Sequence, residues 1–176
     1  MTTATASSLV IRPARREDLT QLAEVTADEL SLAQLENRWR EQEAGYRTLI
    51  VAEEDGRAVG NVSLYARSGP PAPLHLFALE VAQDWRSRGI GTALIDYVLE
   101  QARSARRDSV YLEVRCDNKG ARRLYHRLGF RRVGPEFINT WWRFNDDGTR
   151  EVVEEASMRM VKRVRRNKRI GHRASA

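Results

Sequence analysis

The chain has 176 residues, 41% of them hydrophobic and 31% charged, which suits one domain with a real core. Its net charge of +6 is unevenly placed: Lys162 to Ala176 holds seven basic residues and no acidic one, and the first 161 residues hold 23 basic against 24 acidic. This excludes a basic nucleic-acid-binding domain. No apolar run reaches membrane-spanning length, and the single cysteine, Cys116, permits no internal disulfide, so the expected location is the cytoplasm.

Residues 1–8 lack the charged start and apolar stretch of a secretory leader and read as a disordered tail. Leu9 to Arg12 reads as a strand ended by Pro13. Glu17 and Asp18 suit a helix start, followed by a short stripe of Leu19, Leu22, Ala23 and Val25. A second helix is predicted over about Leu30 to Glu43, with Leu32, Leu35 and Trp39 on one face and Gly45 as its stop. Thr48 to Ala52 and Ala58 to Tyr65 read as strands joined by a turn at Glu54-Asp55-Gly56. Arg67 to Pro73 carries three of the five prolines and reads as a loop. Leu74 to Val81 is strand-like. Ile90, Ala93, Leu94, Tyr97 and Val98 have helical spacing, and Val110 to Val114 reads as a strand. A further helix is expected after Asn118. Strands over about Arg131 to Phe144 and Glu151 to Val161 close the chain, with a turn at Asn145 to Gly148. There is no internal repeat and no linker. Seven strands and four helices in this order predict a mixed α/β sheet with helices on both faces. The expected divisions are the tail 1–8, one domain over 9–162, and a basic tail over 163–176.

The chemistry concentrates after the fourth strand. Trp85-Arg86-Ser87-Arg88-Gly89-Ile90-Gly91-Thr92 forms a glycine-containing turn that opens a helix directly behind a strand. Such a turn aims backbone N–H groups and a positive helix end at one spot, which suits phosphate. The glycines leave room for the ligand, and Arg86 and Arg88 add charge. The Gly-Lys-Ser/Thr of a Walker loop is absent, and Leu94 stands where a dinucleotide fingerprint needs its third glycine. What remains is Arg-x-x-Gly-x-Gly.

Downstream lies Asn118-Lys119-Gly120-Ala121-Arg122-Arg123-Leu124-Tyr125-His126-Arg127-Leu128-Gly129-Phe130. Together, Arg-x-x-Gly-x-Gly, a strand, Asn-x-x-Ala-x-x-x-Tyr and Gly-Phe resemble the acetyl-coenzyme A site of the GNAT superfamily of N-acetyltransferases. The match covers roughly residues 74 to 134, with weaker likeness at Ile11-Arg12-Pro13, Glu17-Asp18-Leu19 and Met158 to Lys162.

The resemblance implies a mostly antiparallel central sheet of about seven strands whose fourth and fifth strands splay apart. It implies acetyl-CoA as the acetyl-donating cosubstrate, bound at Arg86, Ser87, Arg88, Gly89, Ile90, Gly91 and Thr92, with the pyrophosphate on the main-chain N–H groups of Arg88 to Thr92. It places pantetheine along Leu79 and Val81 and beside Asn118, Ala121 and Tyr125. Seven residues span about two helical turns, roughly 10.5 Å, so Asn118 and Tyr125 can face one long ligand; Asn118 can equally be a helix cap. Tyr125 takes the role of proton donor to the leaving thiolate. Glu80 is the candidate base, set against a plain salt-bridged glutamate, and Glu113 is the next candidate. Cys116 reads as packing rather than as a nucleophile. No metal spacing links the three histidines, and no metal is expected. Of Trp141 and Trp142, at most one is expected in the core; the other is open to the acceptor pocket, a dimer contact or edge packing.

The expected function is transfer of acetyl from acetyl-CoA to a primary amine by direct attack in a ternary complex. The alternatives are a protein N-terminal or lysine acetyltransferase directed to ribosomal or nucleic-acid-associated substrates by the basic tail, and a non-catalytic acyl-CoA-binding sensor. No membrane partner is expected. A homodimer is open by analogy, as is weak nucleic-acid or ribosome contact through the tail. Acceptor residues are expected from about Glu29 to Tyr46 and from the last two strands.

Overall fold

A computed structural model describes residues 9–26, 30–65 and 72–164. The expectations placed on 1–8, on most of the proline-rich loop and on the basic residues past Val164 lie outside these. In chain order the elements are β1 (Leu9–Pro13), α1 (Asp18–Val25), α2 (Leu32–Glu43), β2 (Thr48–Glu54), β3 (Arg57–Tyr65) and β4 (Leu74–Val81). A 3-10 turn at Gln83–Trp85 follows, then α3 (Ile90–Ser104), β5 (Ser109–Arg115), α4 (Lys119–Arg127), β6 (Arg131–Phe144) and β7 (Arg150–Arg163). The seven strands form one sheet in the order β1-β2-β3-β4-β5-β7-β6, antiparallel except for the β4–β5 pair. The mixed, mostly antiparallel α/β sheet is thus as expected.

The two faces carry different cores. On one, Ile90, Leu94, Val98 and Leu99 of α3 pack on Leu74 and Leu76 of β4, Val110 and Leu112 of β5, and Met158 and Met160 of β7. On the other, Leu19 and Leu22 of α1 and Leu35 of α2 cover Leu49 and Val51 of β2. Strand alternation sends Ile50 and Ala52 to the first face and their neighbours to the second. The β2–β3 turn places Asp55 at φ 51° and Gly56 at φ 77°. Positive φ at both central residues matches the right-handed twist of a two-residue hairpin.

Several boundaries moved. The second helix begins at Leu32, not Leu30, because Ser31 caps it: its hydroxyl accepts the Gln34 N–H at 3.1 Å. β7 runs to Arg163. The following Val164 is buried, and its N–H donates to the Asp108 carbonyl at 2.9 Å. Neither Trp141 nor Trp142 enters the core. Trp141 is half-buried and donates to Glu155 at 3.2 Å, while Trp142 is 48% exposed beneath Arg150. The outer part of the β6–β7 hairpin reaches past the end of β5, which pairs with β7 only as far as Ser157, so there is no third strand to bury these rings.

Arg12 ties β1 to α1 through two 2.8 Å hydrogen bonds to Asp18, which also accepts the Arg15 N–H at 2.6 Å. Burial pushes the Asp18 carboxyl up, but the bonds from Arg12 and Arg15 outweigh it and hold the group below its usual range. A depressed folded-state value contributes stability above the unfolded value near 3.8, lost as pH falls through the folded value. Asp18→Asn is therefore expected to cost about 3 kcal/mol at pH 7. Denaturant titrations should show the gap from wild type closing below pH 4.

Candidate active site

The cleft originates where β4 and β5 part. Their parallel pairing consists of two rungs, Leu74 with Val110 and His75 with Tyr111, although the strands continue to Val81 and Arg115. At the last rung His75 stacks on Tyr111 with ring centroids 4.3 Å apart and planes within 3°. Phe77 and Tyr65 extend the row at 5.0 and 4.9 Å. Arg47 lies 4.4 Å over Phe77 and Arg159 lies 5.2 Å over Tyr111. Stacked rings capped by cations pin the apex from which the strands diverge.

A bulge then re-aims β4. Asn61 pairs with Glu80 and Ser63 with Phe77, so β4 spends one residue more than β3 over this interval, and Ala78 takes φ 51°. Strict alternation from Leu74 and Leu76 would turn Glu80 toward α3. The extra residue instead sends Glu80 to the α2 face with Phe77, and turns Leu79 and Val81 toward the α3 core.

The turn after β4 leads into α3. Gly89 is its N-cap at φ 86° and has no side chain with which to cap the first amides of the helix. A Cβ built at Gly89 meets nothing within 4 Å, so the turn faces open space. Gly91 is tighter: its Cβ would sit 3.3 Å from Leu124 Cδ2 and 4.0 Å from Val81 Cγ2. The Ile90 side chain is buried in the core, leaving only its backbone for a ligand. Arg86 folds back, its Nε donating to the Val81 carbonyl at 3.0 Å. Arg88 lies over Trp85 at 4.8 Å. Ser87 takes φ 62°. A helix start whose N-cap glycine offers no side chain, beside two arginines, is a chemistry that fits a diphosphate. Thr92 and Ala121 are half-buried.

On the other side, Asn118 is the N-cap of α4 rather than a residue within it, and its Oδ1 accepts the Ala121 N–H at 3.0 Å. Its side-chain amide N–H groups remain for a ligand. Tyr125 is buried, edge-on to Phe130 at 5.9 Å. Burial raises its phenol well above the ordinary value, and the Glu80 charge raises it further. Tyr125 belongs to the α3-side core, while Glu80 is bonded from the α2 side.

Glu80 has a partner that sequence reasoning missed. Arg38 of α2 binds it with two hydrogen bonds of 2.7 and 2.8 Å, and Arg38 also donates to Asn61 at 3.1 Å. The Arg38 side chain is only 6% exposed. Nothing in the spacing of residues 38 and 80 signals this pair; the one available hint was a charged residue within a helix next to the apolar positions Leu35 and Trp39. Glu113, the other candidate base, is held by Arg159 at 2.7 Å on β7. The Cys116 thiol is raised by burial and then by Glu136, which makes it a poorer nucleophile. Among the described residues no group of three or more His, Cys, Asp or Glu is arranged for a metal ion, and no helix is long and apolar enough to cross a membrane.

Comparison with known proteins bears on the same segment. The family model described as "Acetyltransferase (GNAT) family" matches residues 12–130. The rat (Rattus norvegicus) N-acetyltransferase 8F1 is 36% identical over 96 residues, which is 53% of this chain and 43% of that protein. The chain therefore spans under half the length of that curated relative. Among solved structures, the ribosomal-protein-S18-alanine N-acetyltransferase of Escherichia coli superposes with a TM-score of 0.68 at 17% identity, over 94% of this chain and 99% of its own. The Salmonella typhimurium protein yncA, solved with its cofactor acetyl-CoA, gives 0.64 at 18% identity over 95% and 99%. Identities this low establish a shared fold.

Proposed function

Because this chain belongs to the GNAT family of acetyltransferases, we propose that it moves an acetyl group from acetyl-CoA to a primary amine by direct attack within a ternary complex. The observation that carries the reading is the parting of β4 and β5 after two rungs, with the Gly89 turn and α3 following β4 and the Asn118-capped helix that holds Tyr125 following β5. A long ligand with a diphosphate at one end and a reactive group at the other suits such a cleft.

Acetyl-CoA supplies an activated thioester; the chain supplies position and protons. The backbone amides of Arg88 to Thr92 hold the diphosphate. The free edge of β4 past His75, with Leu79 and Val81, aligns the pantetheine amides, and the Asn118 side-chain amide contacts it from α4. A β4 N–H at the bulge donates to the carbonyl oxygen as charge develops there. Tyr125 Oη holds the proton that the departing sulfur needs; its raised pKa keeps that proton in place at neutral pH. Glu80 faces the acceptor side. Both of its oxygens accept from Arg38, so it orients the amine and takes the ammonium proton through water on its remaining lone pairs. The acceptor enters between α2 and the β6–β7 hairpin, which meet where the Ser31 hydroxyl donates to the Phe144 carbonyl at 2.6 Å.

The acceptor's identity is approached by screening. Purified protein with acetyl-CoA is expected to release free thiol only when an amine of the right class is present, across a panel of small amines, peptide N-termini and lysine peptides. Thiol release equal with and without every amine would reduce the activity to hydrolysis and overturn acetyl transfer to nitrogen.

A further inference from the structure

α2 connects two places that are far apart in sequence. At its start, Ser31 and Gln34 grip the outer end of β6. The Ser31 hydroxyl donates to the Phe144 carbonyl at 2.6 Å, and the Phe144 N–H donates to Gln34 Oε1 at 2.8 Å. The Ala33 N–H adds a bond to Asp146 in the β6–β7 turn at 2.9 Å. One turn further along, Arg38 reaches Glu80 and Asn61. Residues 34 and 38 are four apart and so lie on one side of the helix. Leu35, between them, is fully buried against the sheet, so the helix cannot roll without opening the core.

The Arg38 cluster is also tightly constrained. Its guanidinium is held by two carboxylate oxygens and one amide oxygen. Arg38 Nε and Asn61 Nδ2 are buried with no hydrogen-bond partner. Loss of the Glu80 contacts would leave further buried donors unmet, so the cluster has one strongly preferred arrangement. A bidentate guanidinium–carboxylate pair fixes the carboxylate plane as well as its position.

We propose that Arg38 is a positioning residue and α2 a strut: anchoring of the β6–β7 hairpin at Phe144 and orientation of the Glu80 carboxylate form one mechanical unit, so that seating an acceptor under the hairpin sets the group that faces its nitrogen. This rests on the assignment of Glu80 to the acceptor side of the cleft. Arg38 touches neither acetyl-CoA nor the acceptor; it acts through Glu80. The hairpin is suited to report acceptor binding, because its outer half extends beyond β5 and its tip bonds to α2.

The test uses the full chain and combines kinetics with amide exchange. Arg38→Lys keeps the charge but cannot grip both carboxylate oxygens. It is expected to lower kcat by roughly tenfold or more while KM for acetyl-CoA changes less than about twofold. Arg38→Lys combined with Glu80→Gln should be no slower than the slower single variant, because both break one interaction. The Phe144 N–H exchange rate, read by hydrogen exchange, is expected to rise several-fold in Gln34→Ala, and also in Arg38→Lys and in Glu80→Gln, whose substitution lies on β4. Unchanged Phe144 exchange in the last two variants overturns the strut. So do fully multiplicative kinetic losses. Failure of the acetyl-transfer reading looks different: wild type would neither bind acetyl-CoA nor release thiol with any amine, while the exchange measurements would still decide the coupling.

Discussion

Tyr125→Phe is expected to bind acetyl-CoA about as well as wild type and to turn over roughly 10²-fold more slowly, or worse. The ring is buried and edge-on to Phe130, and phenylalanine preserves that packing. Only the proton donor is lost. The thiolate then leaves without that proton, and the cost falls on kcat rather than on cofactor affinity. Two refinements follow from the surroundings of the phenol. Burial and the Glu80 charge both raise its pKa, so the proton remains on Oη throughout the neutral and mildly alkaline range. Any alkaline fall in wild-type activity below pH 10 should therefore persist in Tyr125→Phe. The deficit should also shrink with an acetyl donor whose leaving thiol is more acidic, because such a sulfur needs less help. Full activity in the variant would make Tyr125 a packing residue. Lost affinity at unchanged turnover would make it an anchor for the cosubstrate.

The second large effect is expected at the turn before α3. Wild-type protein at 100 times the dissociation constant of CoA should gain about 2.7 kcal/mol, a rise in melting temperature of roughly 5 to 10 °C. Gly91→Val should abolish that rise. Its Cβ would already crowd Leu124 at 3.3 Å, and the branched methyls must push α4 away or project into the space before the amides. Gly89→Val acts differently. The site is roomy, but φ 86° strains any side chain by about 1–2 kcal/mol, and relief of that strain rotates the N–H groups away from one another. Gly148 is the control. It has φ 82° and equally open surroundings but lies in the β6–β7 turn, so Gly148→Val should lose similar stability and keep the full CoA response. Calorimetric scans of the three variants with and without CoA separate the cases. An equal CoA response in all three would remove the turn from the binding site.

Much of this protein could be read along the chain because the decisive information was local. Seven strands and four helices follow from periodicity, and the Asp55-Gly56 hairpin from residues that tolerate its dihedrals. The phosphate-type turn needs a glycine at a left-handed position and a helix immediately after it, and both lie within eight consecutive residues. The α4 segment from Asn118 to Tyr125 is similarly self-contained, and its cap is made by the neighbouring Ala121. Ser31, a capping residue one position before the helix, was also visible in principle; the apolar Leu30 beside it drew the boundary two residues early.

What pairs across the sheet was decided only in three dimensions. Arg38 and Glu80 are 42 residues apart, and their pairing depends on α2 packing over the sheet so that Arg38 reaches both Asn61 of β3 and Glu80 of β4. The face to which Glu80 turns depends on one extra residue at Ala78, because a single-residue shift in a strand reverses every side chain beyond it. Whether Trp141 and Trp142 are core residues depends on how far β5 extends beside β7, which no property of the tryptophans encodes. Glycines, caps and periods of two or 3.6 record the backbone each residue needs. A buried ion pair, a register and the reach of a neighbouring strand record where the rest of the chain has come to lie.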